Sequence, residues 1–142
     1  VWSFTIVPGT TAALAQSYGA GCPGSNALVP QIGTAGLPQV GAGSFAIDVT
    51  QAAPTASATL LISAQADDLP LSGCSLLLGL PLLATPPVLT DGSGLGTLAF
   101  PIANNPTLLG ARLFGQFVVI DAGGALFGTA SMSDGLHLTV GT

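Results

Sequence analysis

Apolar and polar residues alternate with a period of two through most of this chain, the pattern of half-buried strands rather than of helices. Over residues 44–50, Phe45, Ile47 and Val49 face one way while Asp48 and Thr50 face the other. Ala58, Leu60, Ile62 and Ala64 share a face over 57–66, and Leu98, Phe100 and Ile102 do so over 96–102. The segment 112–120 is apolar on both sides, with Phe114, Gln116, Val118 and Ile120 on one and Leu113, Phe117 and Val119 on the other. Such a strand is expected at the centre of a sheet, covered on both faces. Residues 133–140 direct Leu136, Leu138 and Val140 inward.

The punctuation between these pieces is equally regular. Eleven prolines and twenty glycines leave no stretch long enough for a helix. Thr90-Asp91-Gly92-Ser93-Gly94, Asp121-Ala122-Gly123-Gly124 and Ser133-Asp134-Gly135 are turn sequences, in which Asp offers side-chain hydrogen bonds and Gly accepts positive φ. Short strands with turns at this spacing predict an all-β fold, a single β-sandwich or jelly-roll-like domain with an N-terminal extension strand. Residues 1–7 place Trp2, Phe4 and Ile6 on one face of an extended strand, and the small residues that follow read as a linker. The expected organisation is therefore an extension over 1–17 and a β-sandwich domain over 18–142. No basic segment leads into an apolar run at the start, so Val1 is read as a mature N-terminus rather than part of a signal peptide.

Composition sharpens this picture. Of 142 residues, Arg112 is the single Lys or Arg, His137 the single histidine, and six aspartates are the only acids. Charged residues make up 5% of the chain, against about a quarter in an ordinary soluble domain. A formal charge of −5 excludes the clustered cations that nucleic acid or anionic lipid requires. The most apolar stretch, 74–89, is interrupted by Pro81, Pro86 and Pro87, which argues against membrane insertion. So few charges cannot keep the surface well hydrated, and burial against other copies is the expected remedy.

Cys22 and Cys74 lie 52 positions apart with no CxxC spacing, and two thiols with one imidazole are too few for a zinc site. They read either as buried free thiols or, given their Gly/Pro/Ser surroundings, as one disulfide, which points to an oxidising compartment. Tyr18-Gly19-Ala20-Gly21-Cys22-Pro23-Gly24-Ser25 is similar to the opening of a module found in secreted proteins of planctomycetes and related bacteria. The later phrases Leu71-Ser72-Gly73-Cys74, Thr90-Asp91-Gly92, 101–110 (PIANNPTLLG) and Ser133-Asp134-Gly135-Leu136 extend the resemblance over nearly all of 18–141. The resemblance implies a secreted β-domain with a Cys22–Cys74 disulfide and implies no activity. Where the module commonly has tryptophan this chain has Phe117.

Candidate chemistry is sparse. His137 lies near Ser133 and Asp134, but no GxSxG elbow accompanies them. Asp67-Asp68 reads as a polar loop before Leu69-Pro70, and Asp91 and Asp121 as turn residues. No catalytic residue, metal or cofactor is expected. The expected function is structural: a secreted subunit of an extracellular filament or surface layer whose partners are other copies of itself. Assembly would use Val1, Trp2, Phe4, Ile6 and Val7 as a strand donated to the neighbouring subunit. The alternative is a monomeric adhesion or accessory module that binds a surface glycan or protein.

Overall fold

The computed structural model describes residues 12–142, so the proposed interface residues Val1, Trp2, Phe4, Ile6 and Val7 lie outside the described residues. The all-β expectation holds. A large antiparallel sheet is ordered β1 (Leu14–Tyr18), β11 (Ala130–Thr139), β10 (Arg112–Ile120), β4 (Ser57–Ser63), with the short β7 (Leu83–Ala84) and β8 (Val88–Leu89) on the outer edge of β4. A three-stranded sheet of β2 (Gln31–Ala35), β3 (Ala46–Thr50) and β9 (Gly96–Ala99) packs on one face. The hairpin of β5 (Ala66–Leu71) and β6 (Cys74–Leu78) packs on the other. The one 3-10 turn among the described residues, Pro106–Leu108, is capped by the Asn105 side chain, which accepts from the Thr107 N–H.

Each face of the large sheet therefore has its own core. Leu60, Phe117, Val119, Leu136 and Leu138 meet Ile32, Ile47 and Val49 between the two sheets. Met132, with Phe114 and Val118, meets Leu76, Leu78 and the disulfide under the hairpin. The two-sided pattern of 112–120 is thus accounted for, since β10 is the strand buried from both directions. A layer that a two-sheet sandwich does not have, the hairpin, supplies the second cover.

Three elements depart from the reading of the sequence. Leu14–Ser17, taken as linker, belongs to β1 and pairs with β11 from Leu14↔Thr139 to Tyr18↔Gly135. Asp67 and Asp68, taken as a loop, lie in β5. Strand β11 begins at Ala130, earlier than its alternation indicates, because a β-bulge interrupts it. Between the pairs Gln116↔Gly135 and Val118↔Met132, β11 spends one residue more than β10. The extra residue reverses the parity of the strand, so Met132 faces the hairpin while Leu136 faces the other sheet. Ser133 fills the gap in the ladder: its hydroxyl accepts from the Phe117 N–H at 2.9 Å and donates to the Asp134 carbonyl at 2.7 Å.

The hairpin closes through Ser72 and Gly73 at φ 46° and 83°, the two positive values that a tight two-residue turn demands. Its seating depends on Gln116, which is fully buried. The Gln116 Oε1 accepts from the Leu77 N–H at 2.9 Å, and Nε2 donates to the Ser75 carbonyl at 3.0 Å and to the Ser133 carbonyl at 2.8 Å. The inner edge of β6 is thus paired by a side chain instead of a strand. Gln116→Leu conserves much of the volume but unpairs the buried Leu77 N–H and Ser133 carbonyl, at about 1–3 kcal/mol each, and the half-buried Ser75 carbonyl. Urea unfolding should show a loss of about 3 kcal/mol or more with little change in the denaturant slope.

Candidate functional site

The disulfide is present. Cys22 and Cys74 are bonded, with Cα atoms 5.4 Å apart, and both are buried. It staples the segment entering β2 to the start of β6, closing a loop of 52 residues worth about 4 kcal/mol in the chain-entropy account.

The carboxylates serve as clamps on the backbone. Asp121, expected only to shape its own turn, reaches across to Ser25, accepting from its N–H and its hydroxyl at 2.7 Å each. Asp134 accepts from the Ile32 N–H at 2.8 Å, tying the bulge of β11 to β2. Asp91 does act within its turn, accepting from the Ser93 N–H, the Ser93 hydroxyl and the Leu95 N–H. Hydrogen bonds led by the Ser93 hydroxyl hold its carboxyl below the usual range, whereas burial raises Asp134 and Asp48.

On β5, Asp67 turns its carboxylate onto the Asp68 N–H at 2.7 Å, and Pro70 has no N–H to offer. With Leu69 and Leu71 paired to β6, this leaves the outward edge of the hairpin poor in donors and rich in charge. That is how an edge strand is kept from pairing with another chain. Asp67-Asp68 is an edge guard.

Ser133, His137 and Asp134 form no triad. The Ser133 hydroxyl is engaged in the bulge, while the His137 ring lies on the opposite side, stacked on Phe114 with centroids 4.6 Å apart and planes 12° from parallel. Among the described residues no group of three or more His, Cys, Asp or Glu side chains could hold a metal. No helix among them is long and apolar enough to cross a membrane.

Two surfaces stand out instead. The first is an open apolar pocket of about 360 Å³ at one end of the gap between the sheets. Its lining includes Phe100, Ile102, Leu108, Leu113 and Val140, with Arg112 the one charged residue among them. The second is an apolar edge. Along β7 and β8 the outer strand is broken by Pro86 and Pro87, and Leu80, Leu83 and Leu89 are 62%, 63% and 68% exposed. Leu89 pairs with Ser57 while Val119 pairs with the adjacent Ala58, so Ile120, 59% exposed, lies at the same end of the sheet.

Sequence reading missed both surfaces. The leucines of the edge lie within ten residues of one another, but their exposure depends on the edge position of β7 and β8, and the pocket closes only where Val140 meets 100–113. Compared with known protein families, curated proteins and solved structures, the chain finds no match.

Tyr18 carries a chemical signature of the hairpin contact. Its hydroxyl donates to the Leu77 carbonyl, its ring meets Phe114 edge-on at 6.0 Å, and it covers Gly135, where a Cβ would collide with it. Burial pushes the phenol up from 10.0 to about 12. The stability held by the neutral phenol is complete below pH 10.0 and is lost as pH rises toward about 12. Absorbance titration of this single tyrosine should show phenolate forming near 12, together with unfolding, and Tyr18→Phe should remove the alkaline dependence between 10.0 and 12.

Proposed function

We propose that this protein is a secreted structural subunit that assembles with copies of itself into an extracellular filament or surface layer, using its N-terminal strand as the connecting element. The observation that carries this reading is the apolar edge of β7 and β8, where three leucines are more than three-fifths exposed on a molecule with one cation. Leu83 pairs with Ile62 and Leu89 with Ser57, so this edge presents one leucine to each face of the sheet, and an apolar edge without charge to keep it apart favours contact with another molecule. The contrast within the molecule supports it: the β5 edge is guarded by Asp67, Asp68 and Pro70, whereas the β7–β8 edge bears leucines. The Cys22–Cys74 disulfide suits an oxidising, extracytoplasmic setting, as does the resemblance to secreted bacterial modules. The alternation of Trp2, Phe4 and Ile6 gives the extension an apolar face worth roughly 5–9 kcal/mol if fully buried, before ordering costs.

A second reading, a surface-binding module, draws on the exposed Gln16 opposite His137, beside the Phe114 stack. Aromatic and amide groups on a sheet face suit a sugar ring. His137→Ala should then abolish retention on a polysaccharide affinity matrix while leaving the melting temperature nearly unchanged.

Electron microscopy at high protein concentration separates the two. The full chain should form ordered polymers, and a chain starting at Ala12, which retains β1, should not. Leu83→Lys combined with Leu89→Lys should weaken lateral association of those polymers. Monodisperse particles from the full chain would overturn the assembly reading.

A further inference from the structure

The chain leaves the described fold at the same end of the sheet as the apolar pocket. Leu14, the first residue of β1, pairs with Thr139, and Thr139 pairs with Arg112, a pocket-lining residue. Two strand spacings of about 4.8 Å put Leu14 roughly 10 Å from Arg112. Thirteen residues precede Leu14, and the six from Pro8 to Ala13 can span about 20 Å when extended. Residues 1–7 are therefore tethered by enough chain to reach the pocket of their own subunit.

The chemistry of the two partners matches. The pocket walls are aliphatic and aromatic, and its volume of about 360 Å³ lies at the low end of ligand sites, suited to one or two large side chains rather than to a whole peptide. The extension supplies Trp2, Phe4 and Ile6 on one face. Arg112 has no ion pair or hydrogen bond among the described residues, and a guanidinium is well placed against the face of an indole.

We infer that in the free subunit the N-terminal strand docks in cis, with the Trp2 indole in the pocket lined by Phe100, Leu108, Leu113 and Val140. Tethering gives the intramolecular contact an effective concentration in the millimolar range, which a neighbouring copy must exceed to compete. The docking stands apart from the assembly reading, and only its competition with a neighbouring copy rests on that reading.

Trp2 is the only tryptophan, so the emission of the full chain reports on this contact directly. At concentrations where sizing shows a monomer, Trp2 should emit at the short wavelengths of a buried indole and resist acrylamide, independently of dilution. Leu108→Asp, or pocket-filling Ala111→Phe, should shift emission to that of exposed tryptophan and raise acrylamide quenching severalfold, with circular dichroism showing an intact fold. Either variant suffices if the other fails to fold. Exposed emission in the unmodified chain would overturn the inference, as would buried emission that ignores the pocket substitution in a folded variant. Buried emission that appears only on oligomerisation would overturn docking in cis. Absence of polymers with the expected emission would sink the assembly reading and leave the docking standing.

Discussion

The buried amide of Gln116 is the contact on which the layered architecture turns. A hairpin laid across a sheet face has one strand edge pointing into the protein, where unpaired N–H and C=O groups cost more than they would in water. Gln116 meets the Leu77 N–H and Ser75 carbonyl with one planar group that carries both an acceptor and a donor. Its third bond, to Ser133, ties the same amide to the bulge. The hairpin, β10 and β11 are therefore satisfied together or not at all, and the disulfide and Tyr18 reinforce the same docking from either side.

The bulge makes that arrangement possible. A regular β11 would send Met132 and Leu136 to the same face, starving one core to overfill the other. The added residue lets a single strand serve both, and turns Asp134 toward β2. The polar side chains of this protein are thus spent on holding backbone: Asp121 on Ser25, Asp134 on Ile32, Gln116 on β6. What remains for the surface is mostly uncharged, Gln, Asn, Ser and Thr with few ionised groups among them.

Much of the fold was legible in the sequence. The double-sided apolarity of 112–120 marked the central strand, the inward set of 44–50 reappears in β3, and the Asp-Gly clusters at 90–94 and 121–124 fall at turns, whereas Ser133-Asp134-Gly135, read as a turn, lies inside β11 at its bulge. What was hidden depends on partners far along the chain. The alternation of β11 breaks at the bulge, so its first residues resembled a turn. The β5–β6 hairpin paired a charged edge with an apolar run, and neither half alternates as a half-buried strand does, although Ser72-Gly73 was a local sign of its turn. Leu14–Ser17 carries small, polar residues because β1 is an edge strand, and such residues look like linker when read alone. The pocket is lined by residues of 100–113 and by Val140 from the end of the chain, and although the phrase 101–110 supplies part of its lining, nothing in that phrase by itself marks a cavity.

The scarcity of charge has a last consequence, for the medium in which such a molecule can work. Salt acts on proteins chiefly by screening charges, and its reach is about 10 Å at 0.1 M. Here the carboxylates of Asp91, Asp121 and Asp134 are engaged at hydrogen-bond distance, far inside that length. If copies meet through leucine edges and uncharged backbone, as proposed, such contacts would present almost nothing for dissolved ions to screen. The same cohesion would then persist from fresh water to brine, a tolerance that comes from having little electrostatics to lose.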